Sequence, residues 1–577
     1  MQIRFPLSLL ALTVAAATVF SQQQDTDAVK LKEQRKAALV ARIVTDAEQL
    51  KLADNRAILN ARLGVLAWKN DPEQAKKLLQ SAVSELNAAQ QEAESAKGKA
   101  NLYQDLLNSQ NIRPQILNTI ASVDPEFALE SLYRTRPAAV ARAMAGETSE
   151  KLNDQYSNRS YLAQAEINLE QRLLRKVADK NPEKAAAILK DSIRKRLSNE
   201  TYESLKKLYL LDANAGTELA DDVLGRLNSA AFIANNQPVY DLIQLSTSII
   251  SDHIREHQPN EKYLAFNDSG VRTLSIKLIN TYVSETARIG YVPFEQLEPF
   301  AKRYAPNQVE RLRKAAESGR SGWGGHRGIS TNPEYNEFIK TNPTADQLVQ
   351  NAGKFSPDLQ RQMYQSAANK FSESGQYQNA VALLNDRFEG DALENAVGSL
   401  NWYYAHYLMQ KGDYDAAETM MLEFGESNRI SGLTSLAQNF FNKNPAENKD
   451  RAAGILRRVR SLLPERPENY NETQQLFSLI TAMTAIEPAD AFANLEPLVD
   501  EINPLIQAFA VVQGFQGGQL RQGEYPISNG INFGINVDPT MFRNLALIDF
   551  DRTNAIIDSF ARTELRISLR MYLAESL

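Results

Sequence analysis

Apolar residues recur along most of this chain at intervals of three and four, with polar residues between them. That is the spacing of one buried face on an α-helix. The clearest instances share a beginning: "DPEQAKKLL" (71–79), "DPEFALESL" (124–132), "NPEKAAAIL" (181–189) and "EPADAFANL" (487–495). Asp71, Asp124 and Asn181 can each accept a hydrogen bond from a free backbone N–H at a helix start. Pro72, Pro125, Pro182 and Pro488 then take the first helical position, where a missing N–H costs nothing. Three residues beyond each proline stands alanine (Ala75, Ala128, Ala185, Ala491), and seven beyond stands leucine (Leu79, Leu132, Leu189, Leu495). Those offsets share one helical face, so alanine admits a neighbouring helix closely and leucine fills the space next to it.

Three further starts keep the offsets without proline: Thr217, Ala220 and Leu224; Tyr377, Ala380 and Leu384; Tyr414, Ala417 and Met421. Seven matching starts predict a reused helix–turn–helix unit and an all-α fold, an α-solenoid of degenerate helical hairpins. A compact helical bundle obeys similar packing rules but does not need matching starts.

Two of the starts, "GQYQNA" at 375 and "GDYDAA" at 412, resemble the second helix of the tetratricopeptide repeat. Tyr364, Ala368 and Phe371 precede the first at suitable distances, and Ala405 and Leu408 precede the second. The copies lie 37 residues apart, against about 34 in that family. The other starts are spaced by 53, 57 and 35 residues. The resemblance covers about 360–425, and it implies degenerate units rather than a regular superhelix.

The helical pattern divides the chain into a repeat region at 22–318 and a second at 340–513, with more helices at 539–577. Between the first two, 319–339 contains "GRSGWGGHRGIS", a glycine density that disfavours helix and marks a hinge or linker. The segment 514–538 alternates Ile531, Phe533, Ile535 and Val537 with Asn and Gly after an Asn-Gly turn signal, the pattern of a small β-hairpin or loop insertion. A flexible insertion is one reading; read instead as a partner-contacting loop, it offers Phe533, and deleting 519–535 is expected to leave unfolding almost unchanged but to weaken partner binding.

Residues 1–21 read as a signal peptide: a basic Met1–Arg4, an apolar stretch from Phe5 to Phe20, and Val19 and Ser21 at the −3 and −1 positions of a cleavage site. The expected location is periplasmic or extracellular. No later stretch reaches the roughly 20 apolar residues of a spanning helix, so no membrane span is expected in the mature chain. The chain has no cysteine, which removes disulfides, thiol nucleophiles and a lipoprotein anchor. Its 577 residues exceed one core and its net charge is −6, with a mean hydropathy of −0.41. That balance gives no basic footprint for nucleic acid.

Candidate chemistry is sparse. Of the four histidines, His253 and His257 stand in "HIREH", which matches the H-x-x-E-H pattern of the inverzincin metallopeptidases. As zinc ligands they need one helix face, with Glu256 as general base and a downstream carboxylate such as Glu285 as third ligand. Against that, "QPN" ends the helix, and the mixed α/β domain that carries the motif in that family is not found. The glycines of 319–328 lack the Gly-Lys-Ser/Thr of a phosphate loop, and no G-x-S-x-G occurs. The remaining candidate is "LNWYYAHYL" (400–408), where Trp402 and His406 share one helix face and Tyr403 and Tyr407 the next. Core packing is the ordinary use of such residues; aromatic rings with a polar tip also suit peptide or glycan contact. The expected function is an exported, non-catalytic helical-repeat scaffold binding a protein or peptide, without a cofactor. The alternatives are a zinc hydrolase at 253–257, a carbohydrate-acting helical protein, and an envelope assembly component.

Overall fold

The computed structural model describes residues 29–95, 102–145, 156–234, 237–320, 332–515, 520–527 and 537–577. Their regular structure is helical apart from two-residue strands at Ile233–Ala234 and Gln237–Pro238, paired antiparallel, and a bridge between Arg521 and Glu524. The repeated helix start folds as its residues dictate. Asp71 accepts from the Gln74 N–H at 3.0 Å, Asp124 from Phe127 at 3.2 Å and Asn181 from Lys184 at 3.1 Å. The prolines open the helices Pro72–Ser95, Pro125–Arg134, Pro182–Lys195 and Pro488–Phe515. All seven alanines of the offset pattern are buried to 3 % exposure or less, and the seven residues four positions further on to 4 % or less. Burying one leucine contributes about 1.5–3 kcal/mol, so this stripe organises each hairpin.

The chain forms two compact units, residues 57–333 and residues 334–577 together with those up to Arg56. In the first, helices pack on neighbours in sequence, and several also on the next but one. Tyr156–Ala178 meets both Pro182–Lys195 and Thr201–Leu211, and Ala213–Ser229 then meets Asp268–Ser284. The approach is close: a Cβ at Gly64 would fall 2.5 Å from Leu79 Cδ2. Inside this unit Arg113 is buried against Glu166 at 2.6 and 3.1 Å, and it also donates to Thr135 Oγ1 and the Leu132 carbonyl. One guanidinium thereby ties three helices together.

The second unit repeats the stacking from Ala345–Ala352 through Tyr470–Ile486. Its two clearest hairpins, Pro357–Glu373 with Tyr377–Arg387 and Gly390–Lys411 with Tyr414–Leu422, turn in the same way. Gly375 and Gly412 have φ of 78° and 84°. The next N–H donates five residues back, from Gln376 to Phe371 at 2.8 Å and from Asp413 to Leu408 at 3.0 Å. This is the Schellman arrangement, whose left-handed residue favours glycine.

One part of this unit departs from neighbour-on-neighbour stacking. The helix at 29–47 and the turn after it pack on the C-terminal helices Phe550–Ser559 and Thr563–Ser576. Asp46 pairs with Arg566 at 2.8 Å and with Arg570, while Asp558 pairs with Arg42 and Arg570. Residues 520–527 complete the seam. Glu524 accepts from the backbone N–H groups of Lys51 and Leu52 and from Asn55, and Asn55 also binds the Tyr525 carbonyl and the Ile527 N–H at 2.9 Å each. Tyr525 is 2 % exposed. Residues 520–527 are thus an ordered loop, but one that packs into the seam where the sequence suggested projection. The alternating stretch 531–537, with Phe533, lies outside the described residues except for Val537. Of the glycine-rich 319–339, Gly319 and Arg320 end the helix Val309–Arg320 and Pro333–Lys340 is helical; 321–331 lie outside the described residues, as does the signal-peptide stretch 1–21.

Candidate functional site

A groove of about 1030 Å³ opens across the second unit, between the helices Pro357–Glu373 and Gly390–Lys411 and the turn that leads from Tyr414–Leu422 to Glu426–Lys443. Helical spacing assembles its longest wall. Asn395, Ser399, Trp402 and His406 follow one another at intervals of three and four on Gly390–Lys411, with Glu394, Gly398 and Tyr403 beside them. Gln365 and Asn369, one turn apart, form the facing side, and Glu423, Phe424 and Asn428 close the end.

The aromatic side chains are fixed rather than loose. The Trp402 ring lies 5.1 Å from His406 and 5.9 Å from Phe424, centroid to centroid, and Gly432 leaves room beneath it. Tyr403 is more exposed and its hydroxyl donates to Glu373, a bond that pushes the phenol up to about 12. Tyr377, behind the wall, donates to Asn401 Oδ1 at 2.5 Å. Burial raises its pKa first, and the Glu423 carboxylate adds to that rise.

The polar inventory is one-sided. The lining contains two carboxylates, Glu394 and Glu423, and no Lys or Arg. Neither glutamate has an ion-pair partner among the described residues, and the buried Asn369 Oδ1 accepts no hydrogen bond. Ser399 donates to the Asn395 carbonyl of its own helix at 2.9 Å, so it is not set against a base. The arrangement can stack, donate and accept, and attract positive charge.

Of the residues singled out in the sequence, Trp402, Tyr403 and His406 line this groove together. Tyr407 is directed elsewhere, 6.0 Å from Tyr404 in a stack that continues to Tyr377, with the Lys411 ammonium over its ring. The groove's amides and glutamates were not singled out, because on one helix they read as an ordinary solvated face. The aromatic cluster beside them was the available signal.

The H-x-x-E-H stretch does not assemble a metal site. Its helix, Tyr240–Ile254, ends before Glu256, so His253 and His257 do not share a helix face. His253 lies 3.1 Å from Asp268. His257 turns back to the Asp252 carbonyl at 3.0 Å and stacks on Tyr263 with centroids 3.6 Å apart. Arg255 clamps Glu261, holding that carboxyl down at about 2, and Glu256 faces solvent. Glu285 caps the helix Asp268–Ser284 and pairs with Arg288. No group of three or more His, Asp and Glu that could hold a metal ion occurs among the described residues. None of their helices is long and apolar enough to cross a membrane.

No known protein family matches the sequence, and no curated protein resembles it closely enough to count as a relative. Among solved structures it is matched to one described as a circular tandem repeat protein with novel repeat topology and enhanced subunit contact surfaces. That match has 12 % identity over 94 % of this chain and 96 % of that one, with a TM-score of 0.12. So low an overlap carries no weight for fold or function.

Proposed function

We propose that this chain is an exported, non-catalytic helical-repeat scaffold whose hairpins are of tetratricopeptide-like type, and that it holds a protein or peptide partner in the groove at 365–428. The carrying observation is the groove itself. It joins the fixed rings of Trp402 and Phe424 to a row of amides and two carboxylates without ion-pair partners among the described residues. An extended backbone offers N–H and C=O groups to amides, and its side chains offer surface to the rings. The hairpin type is supported by the shared glycine turn and by Tyr377 and Tyr414 at the same place in successive units. Export is supported by the basic and apolar stretches of residues 1–21.

Affinity capture of the tagged protein from its own envelope fraction, followed by mass spectrometry, tests both halves. The expected result is a protein recovered in fixed ratio with the wild type and lost with Trp402→Ala, on bait whose sequence starts near Gln22. Recovery that is indifferent to Trp402→Ala rejects the groove as the site. Bait recovered only from the cytosol with residues 1–21 attached rejects export.

A further inference from the structure

The geometry points to a basic peptide as the occupant of this groove, an extended segment that sets a lysine or arginine side chain between the carboxylates of Glu394 and Glu423 and the rings of Trp402 and Tyr403. The inference deepens the scaffold reading and rests on it. Three observations of different kinds carry it. The first is charge: the lining holds two glutamates and no cation, and neither glutamate is neutralised by an ion pair among the described residues. An anionic segment would meet uncompensated repulsion there, whereas a cationic one supplies the missing partner.

The second is the aromatic surface. A guanidinium or ammonium within about 6 Å of a Trp or Tyr ring is attracted to its face. This protein makes that contact repeatedly from its own side chains, with Arg387 at 5.2 Å over Tyr364 and Arg451 at 4.9 Å over Phe440. In the groove, Trp402 and Tyr403 are aromatic surface with no basic residue of the lining beside them. The third is the hydrogen-bond balance. Asn369 Oδ1 is a buried acceptor without a donor, Glu394 and Glu423 are acceptors, and Tyr403 spends its hydroxyl proton on Glu373. These are acceptors that a donor-rich side chain can meet. Lysine, with three N–H donors, and arginine, with five, carry donors and no acceptor.

The test is a displayed library of randomised 12-residue peptides, panned on the full-length protein and on three variants. Wild type is expected to enrich sequences with Lys and Arg in excess of the input library. Glu394→Gln/Glu423→Gln, which alters only exposed groups, is expected to lose the basic excess and to bind the enriched peptides about tenfold more weakly. Trp402→Ala is expected to enrich nothing above background. Trp402→Phe, which keeps a ring against Phe424, is expected to retain the basic excess, separating loss of the surface from loss of the fold. Enrichment that depends on Trp402 without a basic excess overturns the cationic occupant and leaves the scaffold reading standing. Enrichment unaffected by Trp402→Ala, or none on wild type, overturns both.

Discussion

Two regions of the second unit are rich in carboxylates and aromatic rings, and they use them in opposite ways. At the seam between residues 29–56 and the C-terminal helices, Asp46, Asp54, Glu524 and Glu564 are all buried, and all face an arginine or backbone N–H groups. In the groove, Glu394 and Glu423 are exposed and face no Lys or Arg among the described residues. A buried charge survives only when it is partnered, so the seam must be closed to exist. An exposed charge on a groove wall is tolerated unpaired, which leaves it free to recognise something. Burial with complete pairing marks architecture, and exposed carboxylates without a cation mark recognition.

The comparison breaks most readily at Arg570, which is 2 % exposed and shared by Asp46 and Asp558. Arg570→Ala leaves Asp46 buried with one partner fewer. The expected cost to the second unit is about 3–5 kcal/mol, read as an earlier denaturant transition. A shift below a tenth of that would mean the seam is peripheral. Glu524→Ala is the next largest. It leaves the N–H groups of Lys51 and Leu52 without their acceptor at a buried turn, for about 2–3 kcal/mol. Removing 519–535 should destabilise at least as much, since the deletion takes Glu524, Tyr525 and Ile527 with it. That is the reverse of what the alternating pattern of 531–537 suggested.

The repeat face itself gives a middle-sized effect. Ala380 and Ala417 are fully buried where two hairpins approach. Ala380→Leu should cost roughly 1–3 kcal/mol by overpacking, while a helix cap such as Asp124→Ala in the first unit should cost about 1 kcal/mol. Thermal unfolding of each variant ranks them. Equal shifts would mean that close approach at the alanine matters no more than the cap.

The helical hairpins were legible because they rest on local rules repeated many times: a capping side chain, proline at the first position, alanine and leucine at fixed offsets. Each rule acts within ten residues. The seam was not legible, since Asp46 meets Arg570 from 524 positions away, and nothing in "VTDAEQL" distinguishes a buried aspartate from a solvated one. The same holds for Glu166 and Arg113 in the first unit. The groove was half legible: "NWYYAHYL" stood out for its aromatics. Which of them turn outward depends on where Phe424 and Gln365 pack, a fact of neighbouring helices. The H-x-x-E-H stretch shows the converse error, in which spacing suggests a shared face but the helix ends at Ile254 before the second histidine.

The smallest predicted effect on stability is also the sharpest test of the contrast. Glu394 and Glu423 are exposed, so replacing both with glutamine removes no buried partner. The expected change in unfolding free energy lies within about 0.5 kcal/mol. Glutamine keeps the length of each side chain and an acceptor oxygen, and withdraws only the charge. If the groove's glutamates served the fold as the seam's do, the pair would behave like Glu524→Ala and lower the transition by several times that amount. If they are held for a cationic partner, stability stays level while peptide binding weakens. The salt dependence of binding should flatten as well, because the screened attraction has been taken away. Measuring unfolding and peptide binding on one preparation of the double variant separates these outcomes, since architecture moves the first quantity and recognition only the second.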